Sequence, residues 1–520
     1  MNYRIGIDVG GTNTDAIVLD SDRKVVASIK TPTQSHSGDG VAAAIDEVLA
    51  AAAIAPGEVR AAMLGTTHCT NAIVERRGLG RVGVLRLGGP ATTAVPPFEG
   101  WPEDLRAAVA GPAFVIAGGN EFDGREISAL DEAGVRAAAE AMRGKVDAVA
   151  VVGVFSPVAD THELRAAEIA AEVLGVPVSR SVEIGSIGLL ERENATILNA
   201  ALIRTLGDMA AGFERALAAH GIDADIYFGQ NDGTLMRLEF ALRYPVFTIG
   251  CGPTNSIRGA SHLSGVSDAL VVDIGGTTTD IGVLVGGFPR QSSRAAEIGG
   301  IRTNFRMPDV LSVGLGGGTI VRGHGRGGVG AGDAPIVLGP DSVGYRIATE
   351  ALAFGGSTLT ATDIAMAVGR LEIAGRAAPA LDPELVAQAD QAIRELVEEA
   401  IDQMKPSAAP VPIVLVGGGA RVSPESLAGV SEVIRPEHAG AANAVGAALG
   451  DVAGQAEQVF SLRETSRQQA VELVRGDAIA RAVEAGADPE TVEVLTLEEL
   501  PVAYMEDTVI VRARAAGRLG

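Results

Sequence analysis

Cysteine is nearly absent from this chain. Two occur in 520 residues, Cys69 and Cys251, far apart in sequence. That spacing excludes a disulfide framework and the clustered thiolates of zinc or iron–sulfur sites. Aromatic residues are only 3% of the chain, with a single tryptophan, so its cores must be built from Ala, Val, Ile and Leu. Positive charge is also short: 42 Lys and Arg stand against 65 Asp and Glu, a formal net charge of −23. Nucleic acid and anionic membranes are bound through clustered cations, so neither is an expected partner. No uninterrupted apolar run of about 20 residues is present, which leaves no membrane-spanning helix to place. No basic segment followed by a short apolar stretch precedes the first strand, and a cytoplasmic location is expected.

What is present is a chain 47% hydrophobic with 67 glycines. This composition suits an Ala/Gly-rich α/β protein of two or three domains. One phrase occurs twice. It reads Ile-Gly-Ile-Asp8-Val-Gly10-Gly11-Thr12-Asn13-Thr14-Asp15 near the start and Val-Val-Asp273-Ile-Gly275-Gly276-Thr277-Thr278-Thr279-Asp280 past the midpoint. Each copy is an apolar run, an Asp, two glycines, a hydroxyl-bearing cluster and a second Asp, followed by another apolar run. Such runs flanking a glycine pair predict two strands joined by a tight hairpin. Glycines admit an anion close to backbone N–H groups, and threonine hydroxyls add donors. A carboxylate in such a loop repels phosphate unless a divalent cation lies between them. Two copies in register therefore point to a nucleotide and its metal held between two related lobes.

In chain order, residues 1–30 read as this hairpin plus a third strand over 24–30, and 40–53 as an Ala-rich helix. Residues 63–72 pass from a strand into a helix through Thr66, Thr67, His68 and Asn71, which serve equally as a ligand-facing helix start or as N-caps. A strand over 81–87 precedes an irregular stretch at 88–111. A helix over 130–143, a continuous β-branched strand over 146–155, a helix ending near 174 and a strand over 176–182 complete an alternating half. A long helix containing Glu191 and Arg192 carries the chain onward. The 225–228 strand ends in a polar turn, Gln230-Asn231-Asp232-Gly233, and 248–259 opens another helix whose His262 reads as a packing residue. Gly316 and Gly317 belong to a glycine run that fits either a phosphate contact or a flexible loop. Residues 323–332 are Gly-rich, with an isolated His324. The apolar run 412–416 ends in Gly417-Gly418-Gly419, where bare backbone could receive an adenine. Residues 439–449 form a small-residue helix suited to packing between lobes, and 456–520 read as a charged C-terminal appendage.

The Asp-Gly-Gly-Thr phrase written twice, with a later strand ending in three glycines, resembles the actin/hexokinase/Hsp70 superfamily of ATP-binding folds. Asp8 to Asp15, Gly65 to Gly78, Glu191 to Ala200, Cys251-Gly-Pro253, Val272 to Asp280 and Ser312 to Thr319 resemble, in order, the A-type subunit of the ATP-dependent hydantoinase/oxoprolinase family. The resemblance implies an α/β fold of two actin-like ATPase lobes with a duplicated β-hairpin phosphate motif and a small C-terminal extension. It divides the chain into an N-terminal lobe at 1–185, a second lobe at 186–455 and the extension at 456–520.

It also implies ATP-driven opening of a cyclic amide (a hydantoin, 5-oxoproline or a lactam) through phosphorylation of the amide oxygen. A separate B-type subunit or another neighbouring enzyme is implied as partner, and a homo-oligomer stays open. On this reading Asp8 and Asp273 hold Mg²⁺ through its waters, and Asp15 and Asp280 act as bases or pin their own hairpins. Gly10, Gly11, Thr12, Asn13, Gly275, Gly276, Thr277 and Thr278, with Gly316 and Gly317, contact phosphate. Gly417, Gly418 and Gly419 receive the adenosine, and His68, Asn71, Glu191 and Arg192 line the substrate cleft. The chain departs from the family pattern at Leu64, where a His is usual, at Gln230–Gly233 and at Thr254-Asn255. These departures leave the substrate open. Carboxylation, a small-molecule kinase and a non-enzymatic reactivase or activator ATPase remain alternative readings.

Overall fold

The two Asp-Gly-Gly phrases fold as their alternating apolar runs dictate. In the computed structural model, which describes residues 2–10, 13–32, 37–292, 296–304, 306–323, 336–502 and 507–520, strand Tyr3–Val9 pairs antiparallel with Asn13–Leu19. This sets Asp8 opposite Asp15. Strand Ala269–Ile274 pairs with Thr279–Val285 in the same way and sets Asp273 opposite Asp280. The same bond closes each turn: Gly10 N donates to Asn13 O at 3.0 Å, and Gly275 N to Thr278 O at 2.9 Å. Gly11 and Thr12, with His324 and most of the 323–332 stretch, lie outside the described residues.

Each hairpin belongs to its own sheet. Among the described residues the first sheet has nine strands, in the order Glu493–Pro501, Thr508–Gly517, Val452–Ser461, Leu235–Arg237, Asp225–Gly229, Val59–Thr66, Tyr3–Val9, Asn13–Leu19 and Val25–Pro32. The second has the order Phe288–Pro289, Thr279–Val285, Ala269–Ile274, Val411–Val416 and Val430–Ile434, with Val310–Val313 also paired to Thr279–Val285. The C-terminal segment is thus no detached appendage. Its strand Thr508–Gly517 pairs along the full length of Val452–Ser461 and extends the first sheet. Strands from 225–237 join the same sheet, so sheet membership crosses the divisions drawn at 185 and 455.

Two helices fill the space between the sheets. Helix Ala442–Leu449 lays Ala444, Val445 and Ala448 against Ile17 and Leu19 of the first hairpin. Helix Cys251–Ser264 lays Ile257 and Ala260 against Val271, Leu284 and Val414 of the second. The two helices meet backbone to backbone. A Cβ added to Gly259 would lie 1.8 Å from Ala442 O, and one added to Gly446 would lie 1.8 Å from Asn255 O. Only glycine fits at this crossing, so the small-residue composition of 439–449 is a packing requirement.

A smaller four-stranded parallel sheet, in the order Ala110–Ala117, Val82–Gly89, Ala148–Gly153 and Val178–Arg180, hangs from the N-terminal half. The stretch expected to be irregular at 88–111 contains the helix Glu103–Val109 and leads into strand Ala110–Ala117. The Gly111-Pro112 pair hid that strand, and its place at the sheet's edge explains why a proline is tolerated there. The long helix Leu189–Ala219 joins this sheet through a buried ion pair. Arg86 Nε and Nη2 each donate to a Glu193 carboxylate oxygen at 2.6 Å, with neither side chain more than 2% exposed. Removing one partner strands the other charge in the interior. Arg86→Met is therefore expected to cost about 3–5 kcal/mol of stability, read as a lower urea midpoint. An unshifted midpoint contradicts that role.

Candidate active site

The two hairpins face each other across the paired helices. Their four carboxylates are close enough to perturb one another. Burial first, then the charges of Asp15 and Asp273, push Asp8 up to about 8. Burial likewise pushes Asp273 up to about 6, with Asp280 and Asp15 adding to it and a hydrogen bond from Ser256 opposing it. Asp15 and Asp280 are also raised, mainly by burial. Lys30, on the neighbouring strand, donates to Asp15 Oδ2 at 2.6 Å. Ser312 donates to Asp280 Oδ1. Asp15 and Asp280 are thus held by partners within their own lobes.

Asp8 and Asp273 are held differently, by the helices between the lobes. Asn443 Nδ2 donates to Asp8 Oδ2 at 3.0 Å, and Ser256 Oγ donates to Asp273 Oδ2. Asp8 Oδ1 is buried without a hydrogen-bond partner, as is Asn255 Nδ2. Both lie against Gly65, where an added Cβ would come within 2.9 Å of Asp8 Oδ1 and 2.7 Å of Asn255 Nδ2. Gly65 therefore keeps a small space open beside the carboxylate. Asn255, Ser256 and Asn443 were not among the expected site residues. Asn443 carried a signal, being the polar residue in an otherwise Ala/Gly/Val/Leu helix.

The glycines divide by what their N–H groups do. Gly316 N donates to Thr319 Oγ1 at 2.7 Å. Gly317 N and Gly318 N donate to the carbonyls of Gly275 and Gly276 at 2.9 and 2.7 Å. This run braces the second hairpin, with its own donors already engaged. Gly417, at φ +88°, crosses directly over Asp273 and Ile274, and Gly419 N donates to Ile274 O at 2.7 Å. A Cβ added to Gly418 would meet nothing within 4 Å, so that side of its exposed backbone is open. Thr277 and Thr278 are exposed at the hairpin tip, and Asn13 is half-buried at the other.

The expected substrate residues separate. His68 and Asn71 lie exposed on the helix His68–Glu75, with Asn71 Nδ2 donating to Thr67 Oγ1 at 3.2 Å. Thr67 packs beside Gly252, so this helix start adjoins the helix that holds Ser256. Glu191 is half-buried next to Gly188. Arg192 is 1% exposed and donates to Ser181 Oγ, Ser186 O and Gly153 O, which makes it a structural hub of the N-terminal half. A charged helical residue reads from sequence as solvent-facing, and nothing local to it shows the carbonyls it satisfies.

These residues can hold a hydrated divalent cation. Among the described residues no three His, Cys, Asp or Glu side chains converge as a ready-made metal cage. Magnesium, however, tends to keep its waters and to bridge one or two carboxylates to phosphate. The unpartnered Asp8 Oδ1 and the two carboxylates of Asp8 and Asp273, both raised chiefly by burial, supply that chemistry. The pH dependence follows from the same shifts. The folded chain binds these protons more tightly than the unfolded chain, so stability without metal falls as pH rises from about 3.8 to about 8. Thermal unfolding in EDTA at pH 5 and pH 8 checks this: the melting temperature should fall with pH, Asp8→Asn should flatten the slope, and Mg²⁺ should reverse it. An unchanged slope in Asp8→Asn contradicts the assignment.

Two α/β lobes carrying equivalent Asp-bearing hairpins, joined by crossing helices, define the actin- and hexokinase-type ATPase fold. The chain matches the hydantoinase/oxoprolinase N-terminal region over residues 4–174 and the hydantoinase/oxoprolinase domain over residues 192–377. It belongs to the hydantoinase/oxoprolinase family. It is 29% identical over 397 residues to the caprolactamase subunit alpha of Pseudomonas jessenii, covering 71% of this chain and 55% of that one. It is 26% identical over 443 residues to the acetophenone carboxylase gamma subunit of Aromatoleum aromaticum, covering 76% of this chain and 57% of that one. The chain thus spans about half the length of the curated relatives it matches. Among solved structures, the ATP-dependent caprolactamase of Pseudomonas jessenii superposes over 100% of this chain and 88% of its own, with a TM-score of 0.72 at 22% identity. Nucleotide-free acetone carboxylase superposes over 99% and 88%, with a TM-score of 0.67 at 19% identity.

Proposed function

We propose that this chain is the nucleotide-handling subunit of an ATP-dependent hydrolase that opens a cyclic amide. The observation that carries the reading is the facing pair of hairpins with Asp8 buried and Asp273 half-buried at their bases and Asp8 Oδ1 unpartnered. Asp8 and Asp273 would hold Mg²⁺ through its waters. Thr12, Asn13, Thr277 and Thr278 would donate to the phosphates, and Gly418 would lie under the adenosine. Bound there, Mg·ATP would supply the phosphoryl group that converts an amide oxygen into a leaving group. The chain's own share of the work is positioning and charge stabilisation, because phosphoryl transfer asks for little covalent help. Asn443 and Ser256 fix the two carboxylates, and Lys30 holds Asp15 in its place. The two lobes that would close on the nucleotide are those built on the two sheets, the first of which includes strands from 225–237 and 452–517.

The relatives named as subunits support a separate partner chain, of B type for a hydrolase. Carboxylation is the second reading, favoured by similarity to the acetophenone carboxylase gamma subunit and, at 24% identity over 405 residues, to the acetone carboxylase beta subunit of Xanthobacter autotrophicus. Phosphate release with the coexpressed neighbouring subunit decides between them. Stimulation by hydantoins, lactams or 5-oxoproline supports the hydrolase. Stimulation only by a ketone together with bicarbonate overturns it.

A further inference from the structure

A cavity of about 200 Å³ lies apart from the carboxylates, where the far strands of the first sheet meet the segment leading into the long helix. Its floor includes Gln230 and Asn231, the turn that departs from the family pattern. The first two turns of helix Cys251–Ser264 separate it from the hairpins: Thr254 Oγ1 donates to Gln230 O at 3.2 Å on one side, and Ser256 holds Asp273 on the other.

The walls differ in chemistry. One is aromatic, in a chain with 3% aromatic residues. Phe240 and Tyr244 lie tilted against each other with ring centroids 4.7 Å apart, as do Tyr244 and Phe247 at 5.8 Å, and all three line the cavity. The other wall is rich in arginine. Arg306 pairs with Glu498 at 3.2 Å, Arg512 with Glu457, and Arg514 with Asp232 at 3.0 Å. The remaining lining carboxylates, Glu183 and Glu484, are both paired with Arg243. Arg481 is the exception: among the described residues it has no carboxylate partner and donates only to Gln455 O, at 3.1 Å. Two further lining residues carry buried polar atoms with no hydrogen-bond partner, Arg514 Nε and Asn304 Oδ1. Every acid on the wall is paired with an arginine, while Arg481 is paired with no carboxylate among the described residues.

We infer that this cavity is a second ligand site, for a small carboxylate with a flat or apolar body. The carboxylate pairs with the Arg481 guanidinium, and the body lies on Phe240, Tyr244 and Phe247. Arginine suits this task because its planar fork matches a carboxylate. The volume falls below the roughly 300–1,000 Å³ of sites for drug-sized ligands, so the occupant is of metabolite size. The inference stands on the cavity's own geometry and does not require the proposed reaction.

Phenylacetate is the probe, titrated calorimetrically into the full chain, with neutral phenylacetamide as its isostere. One-to-one binding of phenylacetate is expected, with phenylacetamide about tenfold weaker or worse. Arg481→Met should weaken phenylacetate by a similar factor while leaving phenylacetamide unchanged, which separates loss of the charge from loss of the fold. Binding should persist in saturating Mg²⁺ and a non-hydrolysable ATP analogue. Absence of phenylacetate binding up to about 10 mM, equal affinity for acid and amide, or displacement by the nucleotide would each overturn the assignment.

Discussion

Asp8→Ala and Asp273→Ala should each lower ATP turnover by about 10²–10³-fold, the size of effect seen when one preorganised charge-stabilising group is removed from a transition state. The loss should appear in kcat, because both carboxylates act where charge moves during phosphoryl transfer. Neither variant should unfold. Burial raises both carboxylates, the charge of Asp273 raises Asp8 further and that of Asp280 raises Asp273, so removing either Asp8 or Asp273 takes a costly buried charge out of the metal-free protein. Asp8→Ala should therefore melt at or above the wild-type temperature in EDTA at pH 8 despite its loss of turnover. Undiminished turnover in either variant would remove the metal assignment. Lower stability together with lower activity would recast the pair as structural.

The second large effect is on the fold. Gly259→Ala and Gly446→Ala each place a methyl 1.8 Å from a carbonyl oxygen of the facing helix backbone. Backbone cannot step aside as a flexible side chain can, so the crossing must open. Overpacking usually costs about 1–3 kcal/mol and more where nothing can yield. At least about 3 kcal/mol is expected here, with loss of cooperativity between the lobes. Gly476→Ala is the matched control. It lies in helix Arg467–Glu484 with nothing within 4 Å of its added Cβ, and should stabilise by about 0.5–1 kcal/mol. Equal behaviour of the three variants in denaturant unfolding would contradict the helix crossing.

The legible part of the sequence was local. Apolar alternation and the glycine pair determine each hairpin within about 17 residues, and the pairings Asp8–Asp15 and Asp273–Asp280 follow. The small residues of 439–449 announced close packing, and Gly417–Gly419 a strand end, though its lie over Asp273 and Ile274 is visible only in the folded chain. Long-range pairing left less trace. Nothing in residues 508–517 states that their partner is 452–461, or that both continue the sheet begun at Tyr3. Arg192 was misplaced for a related reason, because its burial depends on carbonyls from Gly153 and Ser186. Gln230–Gly233 was recognisable as unusual, but only the folded chain shows that it floors a cavity with an arginine that no carboxylate neutralises.

The central claim is that the two hairpins close on one nucleotide and its metal. A crystal structure with Mg²⁺ and a non-hydrolysable ATP analogue tests it most directly. The account predicts a hydrated metal ion between Asp8 and Asp273, phosphate oxygens against both hairpin turns and the adenosine over Gly418. A nucleotide touching one hairpin alone, or a metal ion bound away from both aspartates, would contradict it.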